Sequence, residues 1–433
     1  MQWGSQKRHG FVADRPFEDL PRTVSDAIQV VCSLGQRYLW IDLYCIPQND
    51  EQEKSRLINI MGSIYKNSSL TIIAAAGSGP EHGLPGVNPG LRRARPSLRL
   101  ENCTLIPQEM SVVKEIRNSK WNSRGWTYQE ALLSRRRLIF AECQTYFQCQ
   151  EIHCMESFPI PVKSGPYDFT ALPYQGIGSS RADLVERVKE YAQRHLSYES
   201  DALSAFRGIT QEFQSRGHII ASIAGLPIVK KKQLVMELMW RVSGVAERRY
   251  AFPSWTWAGW TANWPTLRLS EPSTRPPNVV PTFVSIAVEF ADGKRFEWER
   301  DRKAILARTT AGNDPKFLHM RTFAFDIEWL PEVRVLQDWP NLACRFMKLT
   351  GAYTVVCSEV FFNVRPLKVF NLTCKALLTL ARGDKGLKHC YFLVVAGSPN
   401  DSYFERIGVF EAYHVPFESN EPKRCRMQDF VIK

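Results

Sequence analysis

Two short, almost wholly apolar runs with an amphipathic segment between them constrain the fold of this chain more than any other feature. Residues 38–46 are nearly all apolar, with Asp42 as the one acidic residue, and residues 69–76 form a second buried run. Between them, apolar side chains recur every three or four positions, as on one face of a helix. Strand, helix and strand joined by short connections predict parallel strands with a right-handed crossover. We therefore expect both runs to lie in one α/β sheet.

Local signals place further elements around this unit. Residues 23–34 have a helical apolar face, with Pro21 before it and Gly35 after it. Asp50 and Glu53 predict a capping box at the start of the central helix, over residues 50–67. Further along, the pattern predicts a strand over 97–106, a helix from Thr127, and strands over 137–140 and 145–149.

The rest of the chain divides at segments rich in proline and glycine. Residues 158–180 are typical of a linker, and two amphipathic helices are predicted within 181–214, with a third over 231–242. A second proline-rich boundary, residues 262–281, precedes runs typical of strands. We therefore expect three regions: an N-terminal α/β domain (1–157), a helical middle region (158–261) and a β-rich C-terminal region (262–433).

Composition excludes several classes of protein. Of 433 residues, 44% are hydrophobic and 23% charged, which excludes a disordered, fibrous or coiled-coil chain. The net charge of +12 is spread along the sequence, so its short basic runs are more typical of solvated faces than of a nucleic-acid surface. The eleven cysteines are scattered, no apolar run reaches the roughly 18–20 residues of a membrane helix, and the first ten residues lack a signal-peptide core. We expect a reduced, cytoplasmic protein with no membrane partner.

Asp42 is the first candidate functional residue. A carboxylate inside an apolar run is costly unless it is hydrogen-bonded or exposed at the carboxyl edge of the sheet, where α/β domains bind ligands. Two interpretations stay open: Asp42 contributes to a ligand site, or it orders the turn that follows, which includes Gln48.

Residues 121–130 (WNSRGWTYQE) form the second candidate cluster. Arg124 can give two parallel hydrogen bonds to a carboxylate or phosphate, and Glu130 lies in the first turns of the predicted helix. These side chains either form a polar pocket floored by Trp126, or they pair with Asp42 or with each other to lock the layers together. Because both motifs are polar islands beside buried runs, we expect Asp42, Arg124 and Glu130 to converge.

Other chemistry has little support in the sequence. Cys143, Cys149, His153 and Cys154 lack the paired spacing of a structural zinc site, so buried thiols are expected and no metal is assigned. The common signatures of phosphate loops, dinucleotide-binding domains, zinc proteases and α/β-hydrolases are absent.

The motifs, in this order, resemble the fungal heterokaryon incompatibility (HET) domain over roughly residues 3–155. The residues that carry the resemblance are Leu20, Pro21, Tyr38, Leu39, Trp40, Ile41, Asp42, Cys45, Ile46, Gln48, Met61, Tyr65, Trp121, Arg124, Gly125, Trp126, Thr127, Gln129, Glu130, Leu133 and Ser134. A looser likeness to full-length members covers residues 196–203 and 253–260 (PSWTWAGW). Of the family's opening strand only Trp3-Gly4 is present, so we expect one strand of the sheet to be missing.

The resemblance implies a role in self/non-self recognition after hyphal fusion and in programmed cell death. The family's distant relation to TIR domains implies a flavodoxin-like, three-layer domain with a parallel sheet. Some TIR domains hydrolyse NAD with a glutamate, whereas others act only by assembling. If the chemistry is shared, Glu130 is the catalytic carboxylate and Asp42 assists it, while Arg124, Trp126, Gln129 and Gln48 bind the ligand.

Two mechanisms therefore stay open. The first, favoured by the missing phosphate loop, is an interaction or effector module with protein partners of a cell-death pathway, including self-association. The second is an NAD-hydrolysing enzyme that uses NAD as substrate and holds no resident cofactor. Nucleic-acid binding through basic patches is a third, weaker interpretation.

Overall fold

The computed structural model describes residues 20–88, 92, 98–105, 112–163, 176–228, 234–242, 246–262, 267–268, 284–329, 347–349, 357–362, 373–385, 387–398, 402–418, 421–422 and 427–433. The α-helices in this part of the chain are α1 (Arg22–Ser33), α2 (Asp42–Cys45), α3 (Glu51–Asn67), α4 (Val112–Asn118), α5 (Lys120–Ser123), α6 (Trp126–Leu133), α7 (Arg181–Ala192), α8 (Arg207–Ser215), α9 (Leu234–Glu237) and α10 (Trp298–Thr310).

The strands are β1 (Thr71–Ala74), β2 (Leu98–Arg99), β3 (Thr104–Leu105), β4 (Arg136–Phe140), β5 (Thr145–Cys149), β6 (Ile152–Met155), β7 (Phe158–Lys163), β8 (Ala221–Ile223), β9 (Leu226–Ile228), β10 (Arg241–Val242), β11 (Ala246–Arg248), β12 (Trp260–Ala262), β13 (Leu267–Arg268), β14 (Ser285–Glu289), β15 (Arg295–Glu297), β16 (Phe317–Trp329), β17 (Met347–Leu349), β18 (Cys357–Phe362), β19 (Thr373–Lys385), β20 (Leu387–Gly397), β21 (Glu405–Glu418), β22 (Glu421–Pro422) and β23 (Met427–Ile432).

The chain packs as two compact units. The first comprises Met1–Gly178, Arg194–Ser197 and Ser204–Glu212, and the second comprises Ser179–Gln193, Tyr198–Leu203 and Phe213–Lys433. Two short segments from the middle of the sequence thus belong to the first unit. The three-region division, with limits at 157 and 261, stays a prediction.

A mixed sheet organises the first unit, with strand order β1-β4-β5-β6-β7. β1 is parallel to β4, with Thr71 opposite Arg137, whereas β4, β5, β6 and β7 pair antiparallel in succession. One sheet face packs against α4 and α6 through a core that includes Ile73, Ile116, Ala131 and Ile139. The predicted α/β class is confirmed, but the sheet is mixed rather than all parallel.

The strand predicted over residues 38–46 is wrong. Residues 38–41 have no strand pairing, and Asp42–Cys45 is the short helix α2. Asp42 Oδ1 accepts the Leu43 N–H at 2.7 Å, and the Cys45 and Ile46 N–H groups bond back to the carbonyls of Ile41 and Asp42. Because Asp42 offers local N–H groups an acceptor, a helical turn competes successfully with a sheet ladder. β1 therefore pairs with β4 instead of this segment.

The helices and strand that flank this segment are confirmed. α1 ends before Gly35, whose φ of +67° is the left-handed conformation that favours glycine after a helix. The Asp50 side chain accepts the Glu53 N–H at 2.9 Å at the start of α3. The predicted capping box is only half formed, because the Glu53 carboxylate binds Arg56. The run at 69–76 becomes β1, four residues long.

Later predictions for this unit differ in outcome. The single strand expected over 97–106 is a hairpin of β2 and β3. β4 and β5 are confirmed, and the predicted linker begins with β7. The helix expected from Thr127 begins at Trp126, because Gly125 occupies the cap position and the Thr127 hydroxyl donates to the Trp121 carbonyl at 2.6 Å.

The second unit is rich in antiparallel strands, and the β-rich character predicted for the C-terminal region is confirmed. Its main sheet has the order β15-β14-β16-β19-β20-β21-β18, with β17 and β23 pairing with β16 and β22 with β21. Helix α7 of this unit is confirmed and has a complete capping box between Ser180 and Asp183. Helix α8, most of which belongs to the first unit, is also confirmed. The helix expected over 231–242 is wrong in extent: α9 spans four residues and β10 follows. The sequence analysis did not predict α10.

The PSWTWAGW segment lies in the interior of the second unit. Trp255, Trp257 and Trp260 are at most 3% exposed, and the Trp257 indole donates to the Gly225 carbonyl at 2.9 Å.

Among the described residues, no helix is both long and apolar enough to span a membrane.

Candidate functional site

Glu130 is the centre of a polar cluster in the first unit. It lies on α6, is half-buried, and accepts hydrogen bonds from the side chains of Tyr65 on α3 and Trp121 on α5. Asp42 at the start of α2 and Arg124 between α5 and α6 are close enough for their charges to act on Glu130. Asp42 and Arg124 therefore lie within electrostatic range of Glu130, and their joint role as a site stays a prediction.

The environment of Glu130 favours its neutral form. Burial and repulsion from Asp42 raise its pKa to about 7. The positive charge of Arg124 and the hydrogen bonds from Tyr65 and Trp121 act in the opposite direction. A carboxyl group with this pKa can both donate and accept a proton near neutral pH, as a general acid or base requires.

Tyr65 shares this environment. Burial raises the pKa of its hydroxyl well above the usual range, and the negative charges of Glu130 and Asp42 add to the effect, while Arg124 opposes it. The edge of its ring meets the Trp40 ring with centroids 5.7 Å apart. Tyr65 is therefore a protonated donor to Glu130, held in place by an aromatic neighbour.

The cluster has a solvent-facing side and an interior side. Asp42 and Arg124 are exposed, whereas Glu130 and Trp121 are half-buried. This gradient gives two carboxylates different environments beside one guanidinium group. Such a pair can divide acid and base roles, and the guanidinium can bind an anionic group of a ligand.

The other candidate residues differ in their exposure and in the partners that the structure shows. Trp126 is half-buried in the first turn of α6, and Gln48 is exposed, its amide donating to the Ile46 carbonyl at 3.0 Å. Gln129 is 1% exposed: its carbonyl oxygen accepts the Gly208 N–H at 3.2 Å, and its amide contacts Met61 Sδ at 3.5 Å. Gln129 thus joins α6 to α8 and α3.

A network of local bonds fixes the segment between α5 and α6. The Ser119 hydroxyl caps α5 by accepting the Asn122 N–H at 3.1 Å. The Thr127 hydroxyl donates to the carbonyls of Trp121 and Arg124, at 2.6 and 2.9 Å. Trp121 and Arg124 therefore approach Glu130 from a backbone that short-range bonds constrain.

Sequence reasoning missed Tyr65 and Trp121 as partners of Glu130. Tyr65 fits the apolar stripe of α3, and its ring gave no reason to treat it separately. The available signal was its hydroxyl, because a buried tyrosine hydroxyl usually finds a polar partner. The same reasoning applies to the Trp121 indole N–H.

The cysteines that the sequence analysis considered as metal ligands lie in or beside the mixed sheet. Cys143 is buried and Cys149 and Cys154 are half-buried, on or beside β5 and β6. Within the described ranges, histidine, cysteine, aspartate and glutamate side chains form no group of three or more that could hold a metal ion.

Comparison with known proteins supports the family resemblance. The family model described as heterokaryon incompatibility protein (HET) matches residues 2–130, a span that contains Asp42, Tyr65, Trp121, Arg124 and Glu130. No curated protein and no solved structure matches the chain. Residues 2–130 of this chain are a heterokaryon incompatibility domain.

Proposed function

We propose that this protein is an effector of incompatibility-type self/non-self recognition and programmed cell death in fungi, acting in the cytoplasm. The proposal rests on the heterokaryon incompatibility domain over residues 2–130. That domain contains the cluster of Asp42, Tyr65, Arg124 and Glu130. We therefore assign the activity of the effector to this cluster. The relation to TIR domains is part of the proposal and rests on resemblance alone.

The chemistry that this cluster supports best is hydrolysis of the nicotinamide glycosidic bond of NAD. One observation carries it: Glu130 lies between two hydrogen-bond donors while the charges of Asp42 and Arg124 act on it. Nicotinamide leaves with the electron pair of the C–N bond, and the Glu130 carboxylate stabilises the oxocarbenium-like ribose. Water then adds to that carbon and loses its proton to the carboxylate, giving ADP-ribose.

The remaining side chains have supporting roles in this mechanism. Arg124 is exposed and carries the positive charge needed for the pyrophosphate. Asp42 orients a ribose hydroxyl, and the Trp126 ring stacks on a base. We assign no ligand contact to Gln129, since both ends of its amide bind protein atoms.

Nicotinamide release by the purified chain tests this mechanism. Wild type should release nicotinamide from NAD, and Glu130→Gln should reduce the rate by about 100-fold or more, as expected for loss of an acid-base group. Glu53→Gln is the matched control, because Glu53 is on α3 and binds Arg56 rather than the cluster. Equal rates for both variants, or no release by wild type, would contradict the enzymatic mechanism.

An interaction module is the second candidate, and a specific surface favours it. Tyr38 and Leu43 flank Asp42 and are 83% and 62% exposed. Exposed apolar side chains beside a charged cluster suit a protein interface, including one between copies of this chain. Leu43→Ser should then abolish self-association, as measured by light scattering, and should also abolish cell killing on overexpression. Nicotinamide release should not change. Unchanged association and killing would exclude this surface.

A further inference from the structure

A segment outside the family match packs against the site. Arg194–Ser197 follows the matched span by more than sixty residues, yet it belongs to the first unit. The His195 N–H donates to the Ser123 carbonyl at 2.7 Å, and the Gly125 N–H donates to the His195 carbonyl at 2.7 Å. His195 thereby pairs with Arg124 in an isolated parallel bridge.

The Arg194 side chain binds the same stretch of backbone. Its Nη1 donates to the carbonyl of Asn122 and, at 3.3 Å, to that of Arg124, and its Nη2 donates to Asn122 Oδ1 at 2.8 Å. The guanidinium carbon lies 4.4 Å from the centre of the Tyr128 ring. Arg194 therefore contacts both the end of α5, at Asn122, and the first turn of α6, at Tyr128.

Tyr128 and Gly125 make this attachment close and rigid. Tyr128 is 2% exposed, and its ring is stacked on that of Phe206, with centroids 6.4 Å apart and planes 9° apart. A Cβ on Gly125 would lie 2.4 Å from Leu196 Cδ2, so a larger residue at this position would displace the Leu196 side chain that packs there. The attachment thus depends on backbone proximity as well as on the guanidinium bonds.

We propose that Arg194 is a positioning residue that fixes residues 122–124 and thereby holds Trp121 and Arg124 against Glu130. This positioning role rests on the proposed function, because it concerns the same cluster around Glu130. Three donated bonds converge on Asn122 and Arg124, and one ring contact reaches Tyr128 in the first turn of α6. Small displacements of such groups reduce turnover strongly, because catalysis depends on exact orientation. The working domain therefore includes Arg194–Ser197, beyond the residues of the family match.

The protonation of Glu130 can be followed without any substrate. The groups that act on Glu130 are Asp42, Tyr65, Arg124 and the Trp121 indole, which donates to its carboxylate. In protein labelled with 15N at the tryptophan indoles, the Trp121 signal is identified by its loss in Trp121→Phe. Its shift between pH 5 and pH 9 should have a midpoint near 7 in wild type, the pKa that burial gives Glu130.

Arg194→Met tests the positioning role. Methionine retains an apolar stem on Tyr128 but donates no hydrogen bond, so Trp121 and Arg124 should move away from Glu130. Because both of them lower the pKa of Glu130, the midpoint should rise by about one pH unit or more. Arg194→Lys, with a single ammonium in place of the planar fork, should give an intermediate midpoint. The matched control is Arg207→Met, which removes another arginine–asparagine bond of this unit, to Asn59 on α3, and should leave the midpoint unchanged.

Two outcomes overturn the proposal: a midpoint in folded Arg194→Met that is unchanged or lower, or an equal rise in Arg207→Met. If Arg194→Met does not fold, Asn122→Ala decides, since it removes only one acceptor of the fork. A higher midpoint in that variant supports the proposal, and an unchanged or lower one refutes it. Nicotinamide release is measured in parallel: a moved midpoint without wild-type release refutes only the enzymatic function, and release with an unmoved midpoint refutes only the positioning role.

Discussion

Glu130 in the first unit and Arg406 in the second are ionisable side chains that are withdrawn from solvent in opposite ways. Glu130 in the first unit is half-buried, has two side-chain donors, and lies beside the exposed charges of Asp42 and Arg124. Arg406 on β21 in the second unit is fully buried. Burial of charge is costly in both places, but only the first leaves a path to solvent. Accessibility, rather than burial, separates a candidate site from a structural charge.

The surroundings of Arg406 show the structural case. Its guanidinium lies 3.4 Å from the centre of the Trp240 ring and donates to the Trp240 carbonyl. Its Nε and Nη1 have no hydrogen-bond partner among the described residues, and burial lowers its pKa well below the usual value. The Arg406 N–H donates to Ser254 Oγ at 2.8 Å, beside the tryptophans of the PSWTWAGW segment. Arg406 therefore fills and orders the core around those rings.

Substitution of Arg406 gives the largest expected effect. Arg406→Ala should lower the free energy of unfolding by about 3–5 kcal/mol, because it leaves a large cavity and an unpaired Trp240 carbonyl. Arg406→Met should retain most of the volume and remove the desolvated charge, so its stability should equal or exceed that of wild type. Chemical denaturation measures both. If Arg406→Met lost as much stability as Arg406→Ala, the charge itself would stabilise the second unit.

The pH dependence of the free energy of unfolding tests the other group in the comparison, Glu130. The pKa of Glu130 is raised from 4.5 to about 7 on folding, so the folded chain binds this proton more tightly than the unfolded chain. The stabilisation from the neutral form is complete below pH 4.5 and is lost as pH rises through 7. At about 1.4 kcal/mol per pH unit, the loss is about 3 kcal/mol.

Glu130→Gln isolates this contribution from all other titrating groups. Wild type should become less stable relative to this variant between pH 5 and pH 8, and the difference should be constant above pH 8. Denaturation at each pH measures it. A constant difference over the whole range would mean that Glu130 has an ordinary pKa and is as accessible as Asp42.

The success of sequence-based prediction in this chain depended on where the determinants of each element lie. Helices α1 and α3 are fixed by neighbours such as Pro21, Gly35 and Asp50, so their positions were predictable. The partner of β1 is β4, more than sixty residues away, and nothing in residues 38–46 shows that Asp42 would begin a helix instead.

The residues of the candidate site were likewise predictable only where the sequence around them carries a signal. Asp42, Arg124 and Glu130 were identified because each is a charged residue beside an apolar run, where it needs a partner. Tyr65 was not, because its ring matches the apolar periodicity of α3 and its hydroxyl partner is on α6. Arg194 was not, because its contacts at Asn122 and Tyr128 arise only from tertiary packing.

Tyr65→Phe sharpens the description of the Glu130 environment. The variant retains the ring against Trp40 but removes a donor to the carboxylate, so the pKa of Glu130 should rise further above 7. The loss of stability should be about 1.5–3 kcal/mol at pH 8, where Glu130 is ionised, and about 1 kcal/mol at pH 5, where it is neutral. Denaturation at both pH values measures this. Equal losses would indicate that the hydroxyl does not bond to the ionised form.

Substitution of Asp50 gives the smallest expected effect. Asp50 is a carboxylate that stays in solvent and serves as a reference for Glu130 and Arg406. It is exposed, and its side chain accepts only the Glu53 N–H at the start of α3. Asp50→Ala should therefore lower the free energy of unfolding by about 1 kcal/mol, the usual contribution of an N-cap, whereas Asp50→Asn should change it little. Both variants should release nicotinamide at the wild-type rate, because α3 begins fourteen residues before Tyr65. A loss of stability as large as that of Arg406→Ala would show that an exposed carboxylate can matter as much as a buried charge, and accessibility would no longer distinguish the two units.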